Sequence, residues 1–82
     1  MNRTYHPKSW SQQARDMADV IFEQVIYFNY IHPENWEHEN ITPEQWATEF
    51  FQASYRHPLI RSRAAGRYGR MLREYKKKKN IN

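Results

Sequence analysis

WSQQARDMADVIFEQVIYFNYI, residues 10–31, decides the fold according to whether it forms a helix or a strand. Trp10, Ala14, Met17, Ile21, Val25 and Phe28 recur at steps of four, three, four, four and three, which marks one face of an α-helix. Ala18, Phe22 and Ile26 add a second stripe beside the first, so the segment is apolar over a wide arc and is expected to be the most buried element. Its second half, residues 20–31, is rich in β-branched and aromatic side chains, which on propensity alone favour a strand. Length and an unbroken helical period decide for a helix over residues 9–32, with Ser9 or Ser11 as its N-cap.

Working outward, Pro33 ends that helix, because proline lacks an N–H and clashes with the preceding turn. Beyond it the chain repeats a short pattern: Pro33-Glu34-Asn35-Trp36 and then Pro43-Glu44-Gln45-Trp46. Proline at the first helical position and an acid at the second are helix-start chemistry, since the carboxylate faces the positive end of the helix dipole. The second copy is the stronger start. Thr42 is a good N-cap, Gln45 stands at the capping-box position, and Ile41 can staple onto Trp46. Two such copies are too few and too short for a repeat architecture. The first is expected to be a one-turn connector, the second to open a helix over 43–56 with Trp46, Phe50 and Ala53 on one face and Ala47, Phe51 and Ser54 beside it.

His57-Pro58 permits a third helix over 58–79, on which Ile60, Ala64, Tyr68, Met71, Leu72 and Tyr75 form an apolar stripe. Gly66 and Gly69 each cost about 1 kcal/mol in a helix interior, so a break near Gly66 is considered. Residues 1–8 read as a loose arm and 80–82 as a fraying tail. The expected fold is therefore all-α: one small three-helix domain with a one-turn connector and a basic C-terminal helix.

Eighty-two residues make one domain with a small core, for which three Trp, six Tyr and four Phe compensate. The chain has no cysteine, which excludes disulfides and thiolate metal sites. No stretch approaches the roughly 20 apolar residues of a membrane span, and no apolar signal segment follows the first residues. A soluble, cytoplasmic protein is expected. Charge is the more telling property. From Arg56 onward ten basic residues face Glu74 alone, whereas three basic residues face eight acids before it, for a net +4. Such polarity bears on partners more than on fold.

The candidate binding residues are Arg61, Arg63, Arg67, Arg70 and Arg73 with Lys76, Lys77, Lys78 and Lys79. Arg63, Arg67, Arg70 and Arg73 stand four, three and three residues apart, on the flank of the third helix opposite Leu72. Guanidinium groups can donate paired hydrogen bonds to phosphate, and the two glycines would let a backbone come close. DNA or RNA is the expected partner, with an acidic protein surface as the alternative and a merely solvated basic face as the plain explanation. The Tyr55-Arg56-His57-Pro58 junction does not suit a helix-turn-helix, while an arginine-rich helix on RNA needs no such turn.

Tyr27, Trp36 and Phe51 fall outside the main apolar stripes. They are candidates for an exposed protein interface, toward a partner or a second copy of the chain as a homodimer. His32 and His38 flank Glu34 and Glu37, but their spacing of six suits no paired-ligand helix. His32 and His57, each before a proline, are read as helix-terminating or capping residues, so no metal and no cofactor are expected. There is no Gly-rich phosphate loop and no nucleophile motif, and Ser54 near His57 lacks an orienting acid. The expectation is a protein that is not an enzyme.

Overall fold

The capping chemistry between residues 42 and 58 sets the frame on which the rest is packed. In the computed structural model, which describes residues 10–54 and 57–80, Thr42 and Gln45 form the reciprocal capping box. The Gln45 N–H donates to Thr42 Oγ1 at 3.1 Å and the Thr42 N–H to Gln45 Oε1 at 3.0 Å. From that start α2 runs Pro43–Ser54. His57 caps the next helix in the same manner, its Nδ1 accepting from the Leu59 N–H at 3.2 Å, and α3 runs Pro58–Lys78. The expected arm at 1–8, the cap at Ser9, the Tyr55-Arg56 junction and the tail at 81–82 lie outside the described residues.

The first helix, α1, spans Trp10–Ile26 and already includes Ser11, so Ser11 is not its cap. It does not continue as an α-helix to residue 32. Tyr27–Ile31 form a turn of π-helix instead, closed by the His32 N–H on the Tyr27 carbonyl at 2.7 Å. The wider turn inserts one residue into the helical phase. An α-helix would carry the core face from Val25 to Phe28 or Asn29; the π turn brings Tyr30 against the core, stacked on Tyr75 with ring centroids 5.5 Å apart. Pro33–Asn35 then form one 3-10 turn, the short connector expected from the first Pro-Glu copy. His32 gives that turn no side-chain cap, and Trp36 leaves it in extended conformation (φ −79°, ψ 119°).

Three α-helices pack up-down-up, and among the described residues there is no strand. The contacts fix the directions. Asp19 meets Arg67 and Phe22 meets Tyr75, so α1 and α3 run parallel; Phe51 meets Tyr68 and Glu44 meets Lys76, so α2 runs against α3. Ala18, Ala47 and Ala64, one on each helix, are fully buried and let the three backbones approach. Ala14, Ile21, Val25, Ile26, Phe51, Ile60, Tyr68 and Leu72 complete the buried core. The all-α three-helix expectation is the observed fold.

On α2 the sequence put the wrong stripe first. Ala47 and Phe51 are buried, Trp46 and Phe50 only partly so, and Ala53 is exposed. Phe51 is 1% exposed, its ring 5.4 Å from that of Tyr68. It therefore belongs to the core and not to the exposed patch proposed for it, because α2 packs across α1 and α3, which touch each other directly, and turns its Ala47–Phe51 edge toward both. α3 passes through Gly66 and Gly69 without a break. Ala64 and Tyr68 hold it in the core on both sides of Gly66, which offsets the propensity cost. Asn80, assigned to the fraying tail, instead closes the helix: it takes the left-handed φ of 59° and donates its N–H to the Lys77 carbonyl at 3.2 Å.

Candidate functional site

The basic residues of α3 do not form one stripe; its neighbours divide them between two seams. On the α2 side, Lys76 Nζ donates to Glu44 Oε1 at 3.2 Å, while Glu44 Oε2 accepts from Asn29 Nδ2 at 3.2 Å. One carboxylate thus ties together the π turn, the start of α2 and the last turn of α3. Arg61 lies on this side too, lining a shallow cleft with Thr48, Gln52 and Ala65. Tyr68 is buried in the same region, and its hydroxyl has no hydrogen-bond partner among the described residues. Burial first, then the charge of Glu44 and the neighbouring Tyr30, push that hydroxyl above the usual tyrosine range.

On the α1 side the arrangement is open. Arg63, Arg67 and Arg70 line a cleft of ≈ 450 Å³ together with Ala14, Arg15, Ser62 and Gly66. Among the described residues its lining holds four arginines and no carboxylate. Arg67 is oriented from α1: its Nε donates to Asp19 Oδ1 at 2.9 Å, which uses one edge of the guanidinium and leaves the terminal nitrogens undirected by that bond. Arg15 is steadied by its own helix, donating to Gln12 Oε1 at 3.2 Å. At Gly66 a Cβ would meet nothing within 4 Å, so the α3 backbone is open to close approach from outside. Guanidiniums gathered around exposed backbone can hydrogen-bond an anion with several oxygens, Arg67 through the edge that Asp19 leaves, and this is what a phosphate group offers.

Farther along the same seam lies a second cleft of ≈ 660 Å³, lined by Phe22, Met71, Glu74, Tyr75, Lys77 and Lys78. Phe22 and Tyr75 meet edge to face with ring centroids 6.2 Å apart, and Lys79 Nζ stands over the Tyr75 ring at 6.0 Å. Arg73 lies on the outer face of α3 and curls toward Gly69, where a Cβ would come 3.4 Å from its Nη1.

Of the nine predicted cations, then, Arg63, Arg67, Arg70, Lys77 and Lys78 share the α1/α3 seam. Arg61 and Lys76 face α2, Arg73 faces outward, and Lys79 covers Tyr75. Arg67 and Lys76 also carry structural ion pairs. Arg15 was missed. Its signal was present as the i, i+4, i+7 series Arg15, Asp19, Phe22, an edge of α1 that acquires meaning only once α1 and α3 are known to run parallel.

Of the proposed protein-interface residues, Tyr27 and Trp36 both lie against Phe28, with ring centroids 5.0 and 5.2 Å away, while Phe51 is in the core. Tyr27 is 39% exposed, its hydroxyl accepting from Asn35 Nδ2 at 3.0 Å. Trp36 is half-buried, its Nε1 donating to the Ile41 carbonyl at 2.8 Å and its ring set against Phe28, His38 and Trp46. His32 pairs with Glu34 at 2.7 Å, and that hydrogen bond lowers the Glu34 carboxyl below its ordinary value. Among the described residues no group of three His, Asp or Glu side chains is placed to hold a metal ion, and no helix is long and apolar enough to cross a membrane. Comparison of the chain with protein-family models, with curated proteins and with solved structures finds no match.

Proposed function

We propose that this is a small, cytoplasmic, non-enzymatic nucleic-acid-binding protein, regulatory or accessory in character, that holds phosphates in the α1/α3 seam. The observation that carries this reading is the cleft of Arg15, Arg63, Arg67 and Arg70 around the bare backbone at Gly66. Lys77 and Lys78 extend the positive field along the same seam. Phosphate contacts of this kind give affinity without base specificity.

An acidic protein surface would answer the same charge. That alternative relied on exposed aromatic anchors, and the burial of Phe51 removes one of them. Interfaces of that type depend on a few aromatic and arginine hot spots, so the loss weighs against it.

The test is the salt dependence of binding. Four neutralised phosphates give a slope of log K against log salt of about −2.8 for a single strand and −3.6 for a duplex. Fluorescence anisotropy with labelled DNA and RNA oligonucleotides should therefore show affinity falling about 50- to 150-fold between 50 and 200 mM salt. Affinity that is absent at 50 mM, or indifferent to salt, would overturn the proposal.

A further inference from the structure

The two clefts of the α1/α3 seam differ in chemistry and share an axis. The arginine cleft centres near Gly66 and the second near Glu74, roughly 12 Å farther along α3 at 1.5 Å per residue. The second has an apolar, ring-bearing lining in Phe22, Met71 and Tyr75, all half-buried, with Lys77 and Lys78 at its edge. Tyr75 is backed by the stacked ring of Tyr30, and a flexible lysine head, Lys79, is what stands over it. An intact duplex presents phosphates and groove edges to such a seam and keeps its base faces stacked inside. A single strand can do more, laying phosphates against arginines and base faces against rings.

Resting on the nucleic-acid reading above, we propose that the seam is a site for single-stranded nucleic acid: phosphates lie among Arg15, Arg63, Arg67 and Arg70, and a base inserts against Phe22 and Tyr75. The Lys79 ammonium swings off the Tyr75 ring to admit the base and stays near as a phosphate partner. Among the described residues Glu74 is the one anionic group lining the second cleft, and it opposes the phosphate chain there.

Binding of oligo(dT) and oligo(U) is compared with binding of a duplex of equal length, at one salt concentration and across a salt series. Single strands should bind at least several-fold tighter than the duplex. Phe22→Leu and Tyr75→Leu keep apolar volume and remove a ring. Each should weaken single-strand binding by about 5- to 150-fold, the range of base–aromatic stacking, with the salt slope unchanged. Tyr75→Phe should retain wild-type affinity, and circular dichroism identifies any variant that has lost its helices. If Tyr75→Leu unfolds, Phe22→Leu and the strand-versus-duplex comparison still decide. Equal or tighter duplex binding, or a loss below twofold in folded ring-free variants, would overturn the single-strand site and leave the phosphate cleft standing. Salt-dependent binding to neither form would remove the nucleic-acid reading itself.

Discussion

The two flanks of α3 carry similar residues and put them to different use. Toward α2, Lys76 meets Glu44, Glu44 also holds Asn29, and the Phe51 ring tilts against Tyr68, so Lys76 is matched and the rings are interior, with Arg61 at the edge. Toward α1, four arginines line one cleft, with no carboxylate lining it among the described residues and Asp19 held to Arg67 beside it, and two rings line the next with lysines at the edge. A basic helix is therefore not by itself a binding surface. What matters is where its neighbours gather those cations: on the α2 side Lys76 is tied to Glu44, and on the α1 side Arg67 is oriented by Asp19 within a cleft that it shares with Arg15, Arg63 and Arg70.

The largest expected effect breaks the closed flank. Phe51→Ala removes a ring that is 1% exposed and should cost about 3–5 kcal/mol, enough to unfold a domain of this size. Thermal denaturation followed by circular dichroism measures it. A loss under 1 kcal/mol would mean that the α2/α3 seam is not packed as described.

Gly66→Ala sharpens the open flank. The site has room for the methyl group, so the helix should gain about 1 kcal/mol. Oligonucleotide affinity should fall in the same variant, because the added Cβ stands where a phosphate would reach the backbone. A variant that is stabilised and binds unchanged would remove Gly66 from the contact surface.

Tyr68→Phe separates the flanks more gently. It removes a buried hydroxyl without a partner among the described residues, so stability should be unchanged or higher by about 1 kcal/mol at neutral pH. The pH dependence has a definite sign. The raised hydroxyl means that the native state favours neutral tyrosine; that contribution is complete below the ordinary tyrosine range near 10 and is lost as pH climbs toward the higher native value. Wild-type protein should lose stability above about pH 10 more steeply than Tyr68→Phe does. Coincident curves would show that Tyr68 is not the sensitive group.

The smallest effect concerns neither flank but the connector. Glu34 is held below its ordinary range by His32, so its contribution is present above that range and disappears as pH falls through the lowered native value. Glu34→Gln should differ from wild type only slightly, and only where the carboxylate is ionised. A pH-independent difference would place its cause elsewhere.

Local chemistry was legible in the sequence wherever it acts within a few residues. The Thr42–Gln45 capping box, the His57 cap and the buried series Ile60, Ala64, Tyr68, Leu72 are all as their spacing implies. The two Pro-Glu copies differ as their caps differ: Thr42 supplies a side-chain oxygen and a twelve-residue helix follows, His32 supplies none and the turn ends at Asn35. Features that depend on distant partners were not legible. The π turn is set by where Tyr30 and Asn29 must reach, onto Tyr75 and Glu44. The choice of Phe51 over Phe50 as core residue depends on how α2 lies across the other two helices. Arg15 looked like an isolated charge because its companions are about fifty residues away.

The central claim is that the α1/α3 cleft, rather than net charge, binds the ligand. The most direct test compares two folded double variants of equal charge loss, Arg15→Ala with Arg70→Ala against Arg61→Ala with Arg73→Ala, the latter two lying outside both clefts. On single-stranded oligonucleotide the cleft pair should flatten the salt slope by about 1.4 and weaken binding, and the second pair should change the slope by less than half as much. Equal slopes in the two variants would contradict the account.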